Sequence, residues 1–161
     1  MFATGDRVVY PLHGGAIVRG VEARMQGEEN VEYYILQMLF DSMTVSVPVK
    51  SADRLGLRYI GDEETLTAIE NALHETPDVH SVKSISWNRR FQLYMEKIKS
   101  GSVIEVAQIF KILTLLERDK KISVGERRLL HSTKQILQSE VMLIRNVDAD
   151  EAGNWLEHCC D

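Results

Sequence analysis

Two periodicities divide the chain. Through the first sixty residues apolar positions partly alternate with polar ones in five short runs: "DRVVY", "GAIVRGVEAR", "EYYILQMLF", "MTVSVPV" and "RLGLRYI" (54–60). Their richness in Val, Ile, Tyr and Thr fits half-buried strands. Turn-forming residues punctuate them: Pro11 and His13-Gly14-Gly15, then "QGEEN" at 26–30, then Asp41-Ser42. From Asp62 onward the apolar residues recur at helical spacing. Ser102-x-x-Glu105, Ser123-x-x-Glu126 and Asp148-x-x-Glu151 each match a capping box or its Asp variant. The pattern predicts helices near 62–75, 87–99, 103–119, 124–145 and 149–159, with a loop over 74–86 that contains Pro77. The expected class is α+β in two domains that meet near Gly61. Residues 1–61 form a small, strongly bent Tudor-like or SH3-like antiparallel β barrel, and residues 62–161 an all-α helical bundle. Such a sheet usually leaves an edge strand open to a partner's strand.

Composition adds limits rather than detail. At 161 residues, 44% apolar and 27% charged, the chain has the balance of a globular protein with a core. No apolar run approaches the roughly eighteen residues of a membrane span. The opening "MFATGDRVVY" lacks the basic and apolar regions of a secretion signal. Cys159 and Cys160 are adjacent, which suits no disulfide framework, so the expected location is the cytoplasm. Five scattered histidines make no metal-ligand spacing, and Gly14-Gly15 lacks the Lys-Ser/Thr of a phosphate-binding loop. No nucleophile sits in a pattern with a base. The reading is non-enzymatic, with neither cofactor nor metal.

Charge changes the picture more. The net charge of −5 conceals a basic block: residues 80–101 carry +4 and residues 102–145 carry +3, between 62–79 at −6 and 146–161 at −5. The local field, not the whole-chain value, decides what approaches within a Debye length.

The stretch "ISWNRRFQLYMEKIKSG" opens that block. On a helix starting near Trp87, the residues Phe91, Tyr94, Met95 and Ile98 form one core-facing stripe. Arg89, Arg90 and Lys97 fall largely off it. Two readings stay open. Trp87 closes the stripe as a packed first turn, or it projects from the helix end as a wedge against an unstacked base, with Arg89 and Arg90 on the phosphates. Lys120 and Lys121 complement a helix C-terminus, whereas Arg127 and Arg128 sit in a first turn that disfavours cations unless a negative ligand is present. Glu126 is placed to neutralise one of them.

Two segments join these halves. "FATGDRVVYPLHGGAIV" resembles the opening signature of the CarD/CdnL family of bacterial transcription regulators, and "SWNRRFQLYMEKIKSGSVIEVAQIF" followed by "GERRLL" is similar to its second half. The resemblance runs from Phe2 to about Arg145. It implies a Tudor-like module that binds the β subunit of RNA polymerase, largely by strand addition. It further implies a helical module that touches promoter DNA at the upstream edge of the bubble without reading sequence. By motif position the wedge is Trp87, the backbone-contacting residues are Arg89, Arg90, Lys97 and Arg127, and the polymerase contacts are Arg24 after the second strand, Ile35, Ser46 and Pro48. Ser46 stands where some members carry a larger or basic side chain, so no salt bridge is expected there. Gln92 occupies a position that is basic in some relatives, which weakens phosphate binding. The resemblance is not carried into "NWLEHCCD", where Trp155 reads as a core residue of the last helix.

Two rival readings differ in class: a helical repressor reading an operator through residues such as Arg127, Arg128, Lys134 and Gln135, and a protein-only adaptor that never meets DNA.

Overall fold

The computed structural model describes residues 1–161. Five strands come first: β1 (Arg7–Tyr10), β2 (Gly14–Gln26), β3 (Glu29–Met38), β4 (Thr44–Pro48) and β5 (Arg58–Tyr59). They pair antiparallel in the order β4-β3-β2-β1-β5, leaving β4 and β5 as the two edges. Alternation places Val8, Ala16, Val18, Tyr34, Leu36, Met38 and Val47 on one face as a small core, closed by Ala52 and Leu57. The register of β2 on β3 shifts between Val18 and Gly20, a bulge that bends the strand. Beyond it residues 21–30 are exposed, so the β2–β3 hairpin overhangs the core. β2 is also longer than its sequence suggests, and Arg24 lies within the strand rather than after it.

Six helices follow: α1 (Glu63–His74), α2 (Val79–Ser84), α3 (Trp87–Lys99), α4 (Val103–Arg118), α5 (Val124–Arg145) and α6 (Ala149–Cys159). Each starts at a side-chain cap: Asp62, Asp78, Ser86, Ser102, Ser123 and Asp148. Helix α2 corrects the predicted loop over 74–86. Its six residues are too few to show periodicity, but Asp78 accepts from the Ser81 backbone at 3.1 Å and from its hydroxyl at 2.7 Å, which starts a turn after Pro77. α4 runs through the middle of the bundle. Its Ile109, Phe110, Leu113 and Leu116 are fully buried among Leu66, Ile69, Leu73, Leu137 and Leu156. Each such side chain contributes about 1.5–3 kcal/mol on leaving water.

The sheet docks on α5. The N–H of Gly15 donates to the Ser139 hydroxyl at 2.6 Å, and that hydroxyl donates to the Ile136 carbonyl at 2.7 Å. A Cβ on Gly14 would stand 2.7 Å from Ser139 Oγ, and its φ of +91° already favours glycine. The Gly14-Gly15 turn is thus a seat for a helix. Arg7 adds a bond to the Leu143 carbonyl at 2.5 Å. No helix is long and apolar enough to cross a membrane.

Candidate functional site

The site is built where α3 and α5 begin. Ser86 caps α3 by accepting from the Arg89 N–H at 3.4 Å, and no acid occupies the first turn. That leaves the partial positive charge of the helix end uncompensated. Trp87 is half-buried. Its benzo edge rests on Gly125 in the first turn of α5, where a Cβ would come within 2.6 Å of Cζ2. The indole is neither sealed in the bundle nor free of it: it packs, partly buried, against the helical core, with Arg90 and Phe91 beside its ring. Phe91 lies beside it, ring centroids 5.7 Å apart and tilted at 56°.

Three expectations for this helix are corrected. Arg90 does not face solvent: it is 8% exposed, its Nη1 donates to the Ile85 carbonyl at 2.7 Å, and its Nη2 lies 3.5 Å from Glu126. The guanidinium also lies 5.5 Å from the Trp87 ring. It is held inside, against the indole. Glu126 does not neutralise Arg127 or Arg128. It is fully buried, takes Lys83 at 3.1 Å and closes the Ser123 capping box. Phe91, expected on the core stripe, is 42% exposed. Tyr94 and Ile98 are buried as the stripe requires.

The remaining cations are spread out. Arg89 is exposed on the solvent face with Asn88, Gln92 and Glu96. Lys97 is ten residues beyond Trp87, about 15 Å along the axis, in a groove with Glu75, Pro77 and Gln108. Arg127 follows Gly125 by two residues and approaches Glu117 only to 3.9 Å. It lines a cleft with Arg118, His131, Lys134 and Glu157. Arg128 lies in a shallow exposed hollow with Val124 and His131. The structure thus brings together Trp87, Arg89 and the start of α5, and sets Lys97 apart.

On the sheet, Ile35 pairs with Ser46 and Tyr33 with Pro48 across β3 and β4, while Arg24 pairs with Val31 across β2 and β3. Strand alternation puts Arg24, Tyr33, Ile35, Ser46 and Pro48 on the face opposite the core. Arg24 stacks over Tyr33 at 5.4 Å and pairs with Glu22 at 3.1 Å. Ser46 is flanked by Ile35, with no cation beside it in the register. Tyr33 and Gly125 were not singled out from the sequence. Alternation with the buried Tyr34 identifies the first, but nothing local identifies the second.

No group of three or more His, Cys, Asp or Glu side chains is arranged to hold a metal ion. Residues 2–61 match the CarD-like/TRCF RID domain, and residues 70–157 match CarD, C-terminal domain. YdeB of Bacillus subtilis (strain 168), whose name proposes a transcription factor, is 28% identical over 147 residues, which span 91% of this chain and 94% of YdeB. The chain belongs to the CarD-like family of transcription regulators.

Proposed function

We propose that the protein binds the β subunit of RNA polymerase through its sheet and stabilises the open promoter complex through its helices. In this reading residues 1–61 act as a Tudor-like barrel module. Arg24, Ile35, Ser46 and Pro48 lie on the face that meets polymerase, and the unpaired edge of β4 accepts a strand. Residues 62–161 meet DNA at the upstream edge of the bubble without reading sequence. The half-seated indole of Trp87, at an acid-free helix start next to Arg89, carries this reading. A partly exposed aromatic ring held at a helix start suits insertion at a loosened base step. Arg89 and the first turn of α3 lie at the adjacent phosphate, with Arg127 and Lys97 as outlying contacts and Arg90 as a positioning residue. Location follows polymerase, in the cytoplasm at the nucleoid.

A few phosphate contacts give weak, salt-sensitive affinity, on the order of micromolar or poorer for the isolated protein. Attachment to polymerase raises the effective concentration of the helices at the promoter. The wedge then shifts the closed–open equilibrium only by its differential affinity for the open form, and about 1.4 kcal/mol suffices for tenfold. The operator-reading alternative is less well served, because Lys134 of α5 is engaged with Glu157 at 2.5 Å and Gln135 is half-buried.

The test is the lifetime of open complexes formed by purified polymerase, with and without the protein. Wild type lengthens it, and Trp87→Ala removes the effect while keeping fold and polymerase retention. Equal lifetimes for the two overturn the wedge. Sequence-selective footprints without polymerase favour a repressor, and no salt-dependent DNA retention at all favours an adaptor.

A further inference from the structure

Glu126 is fully buried and follows directly on Gly125, the seat of the indole. Carboxylates are almost never fully buried unless they are paired. This one ties three elements together. Its Oε1 accepts from the Ser123 N–H at 3.2 Å, closing the start of α5. The same oxygen accepts from Lys83 Nζ of α2 at 3.1 Å. Its Oε2 stands 3.5 Å from Arg90 Nη2 of α3. Arg90 in turn donates through Nη1 to the Ile85 carbonyl at 2.7 Å, two residues before Trp87, and its guanidinium lies 5.5 Å from the indole ring.

Stability alone is a poor reason for such a cluster, since apolar residues of similar volume often serve a core as well or better. Nor is the cluster fully bonded: Glu126 Oε2, Arg90 Nε and the Tyr94 hydroxyl are buried without a hydrogen-bond partner. What charged, directional contacts supply and apolar packing does not is a fixed geometry. The geometry fixed here is that of the α2–α3 connection and the start of α5, the two places that flank Trp87. None of the six residues of α2 is fully buried. Lys83 is the side chain by which this short helix reaches the start of α5.

We infer that Lys83 and Glu126 are positioning residues for Trp87, on the reading above in which that indole is the wedge. Lys83 holds Glu126, Glu126 holds Arg90, and Arg90 and the first turn of α5 hold the ring at one setting. Neither Lys83 nor Glu126 touches DNA in this arrangement.

The test compares Lys83→Met, which keeps the aliphatic stem and loses the charge, with Lys83→Arg, which keeps a cation. Lys83 is 32% exposed, so its replacement strands no buried cation, and thermal melting checks that each variant is folded. In the free full-length protein the indole N–H resonance of Trp87 is followed, assigned by its absence in Trp87→Ala, with Trp155 of α6 as internal reference. Open-complex lifetime is then measured with purified polymerase. Lys83→Met is expected to move the Trp87 resonance, leave that of Trp155, and shorten the lifetime about threefold or more. Lys83→Arg is expected to restore both readouts. In a Glu126→Gln background Lys83→Met is expected to add nothing, because Lys83 acts through the carboxylate.

A shortened lifetime with an unmoved Trp87 resonance would make Lys83 a direct phosphate contact and overturn the inference. So would a Lys83→Arg as impaired as Lys83→Met, both tryptophans moving alike, or an undiminished effect of Lys83→Met beside Glu126→Gln. A wild-type lifetime in Lys83→Met, with a shortened one in Trp87→Ala, overturns the positioning role alone. Equal lifetimes for Trp87→Ala and wild type overturn the wedge itself.

Discussion

Arg58 of β5 grips Glu140 of α5 with both nitrogens, each 3.0 Å from a carboxylate oxygen, while the Gly61 N–H donates to the same carboxylate at 2.9 Å. Glu140 is 1% exposed and binds the sheet to the helices at the point where the chain passes from one to the other. Removing one partner strands a buried charge. Arg58→Ala is therefore expected to lower stability by about 2 kcal/mol, below the range for a fully buried pair, since the guanidinium is 33% exposed. Urea unfolding measures this, and an unchanged midpoint contradicts it.

Gly125 is the seat of Trp87, which separates the position of the indole from the presence of one. Gly125→Ala gains about 1 kcal/mol of helix propensity, yet its methyl would contact the benzo edge at 2.6 Å. The indole must shift to admit it. The expected result is a melting temperature close to wild type with an open-complex lifetime shortened as in Trp87→Ala. A wild-type lifetime would mean that the seat has no part in function.

Glu126 gives the bundle an acid limit. Burial pushes its carboxyl up, but the bond from Lys83, the bonds from Ser123 and the charge of Arg90 outweigh burial, and the net direction is below the ordinary 4.5. A carboxyl depressed on folding stabilises the protein above its unfolded pKa. That contribution is lost as pH falls from about 4.5 through the folded value. Glu126→Gln is expected to flatten the stability profile in this acid window and, at pH 7, to cost about 3 kcal/mol by leaving Arg90 buried and unpaired. Thermal melts from pH 3 to pH 7 read both; parallel profiles for the two proteins contradict the assignment.

These same residues mark how far the sequence carries. The five strands and the five longer helices are legible because their apolar periods and caps are local. α2 is not, because "VHSVKS" is shorter than two helical turns and its cap Asp78 follows a proline. Arg90 looks solvent-facing within its own helix; only Glu126, 36 positions along the chain, explains its burial. Glu140 likewise reads as a surface acid until Arg58 arrives from the sheet. A pattern along one element reports which side is apolar. Ion pairs between elements are invisible to it.

The sheet offers a cleaner separation of roles. Ile35 is half-buried on the outward face, opposite Ser46 on the edge strand, and does not belong to the inner core. Ile35→Asp is expected to reduce retention on immobilised polymerase β subunit at least about tenfold, as loss of a central interface contact does, with DNA retention of the helices intact. Pro48→Ala is expected to act in the same direction and more weakly. Circular dichroism must show the fold preserved; a folded Ile35→Asp that binds polymerase normally removes this face from the proposal.

The C-terminal thiols are shielded by their surroundings. Cys159 and Cys160 are both buried and unbridged. Burial, then the charges of Glu70 and Cys160, push the Cys159 thiol up to about 11. At pH 8 that leaves about one thiolate in a thousand, against roughly a quarter for a free thiol near 8.5. Burial also raises Cys160, whose carbonyl is held by Lys111 at 2.8 Å and lies 3.4 Å from Arg118. The disulfide dye DTNB is therefore expected to react with neither cysteine in the native protein and with both in guanidinium chloride. Lys111→Ala releases one anchor of the tail and should speed native labelling several-fold, since reaction then follows local opening rather than global unfolding. Rapid labelling of the wild type would show that α6 frays far more readily than its packing implies.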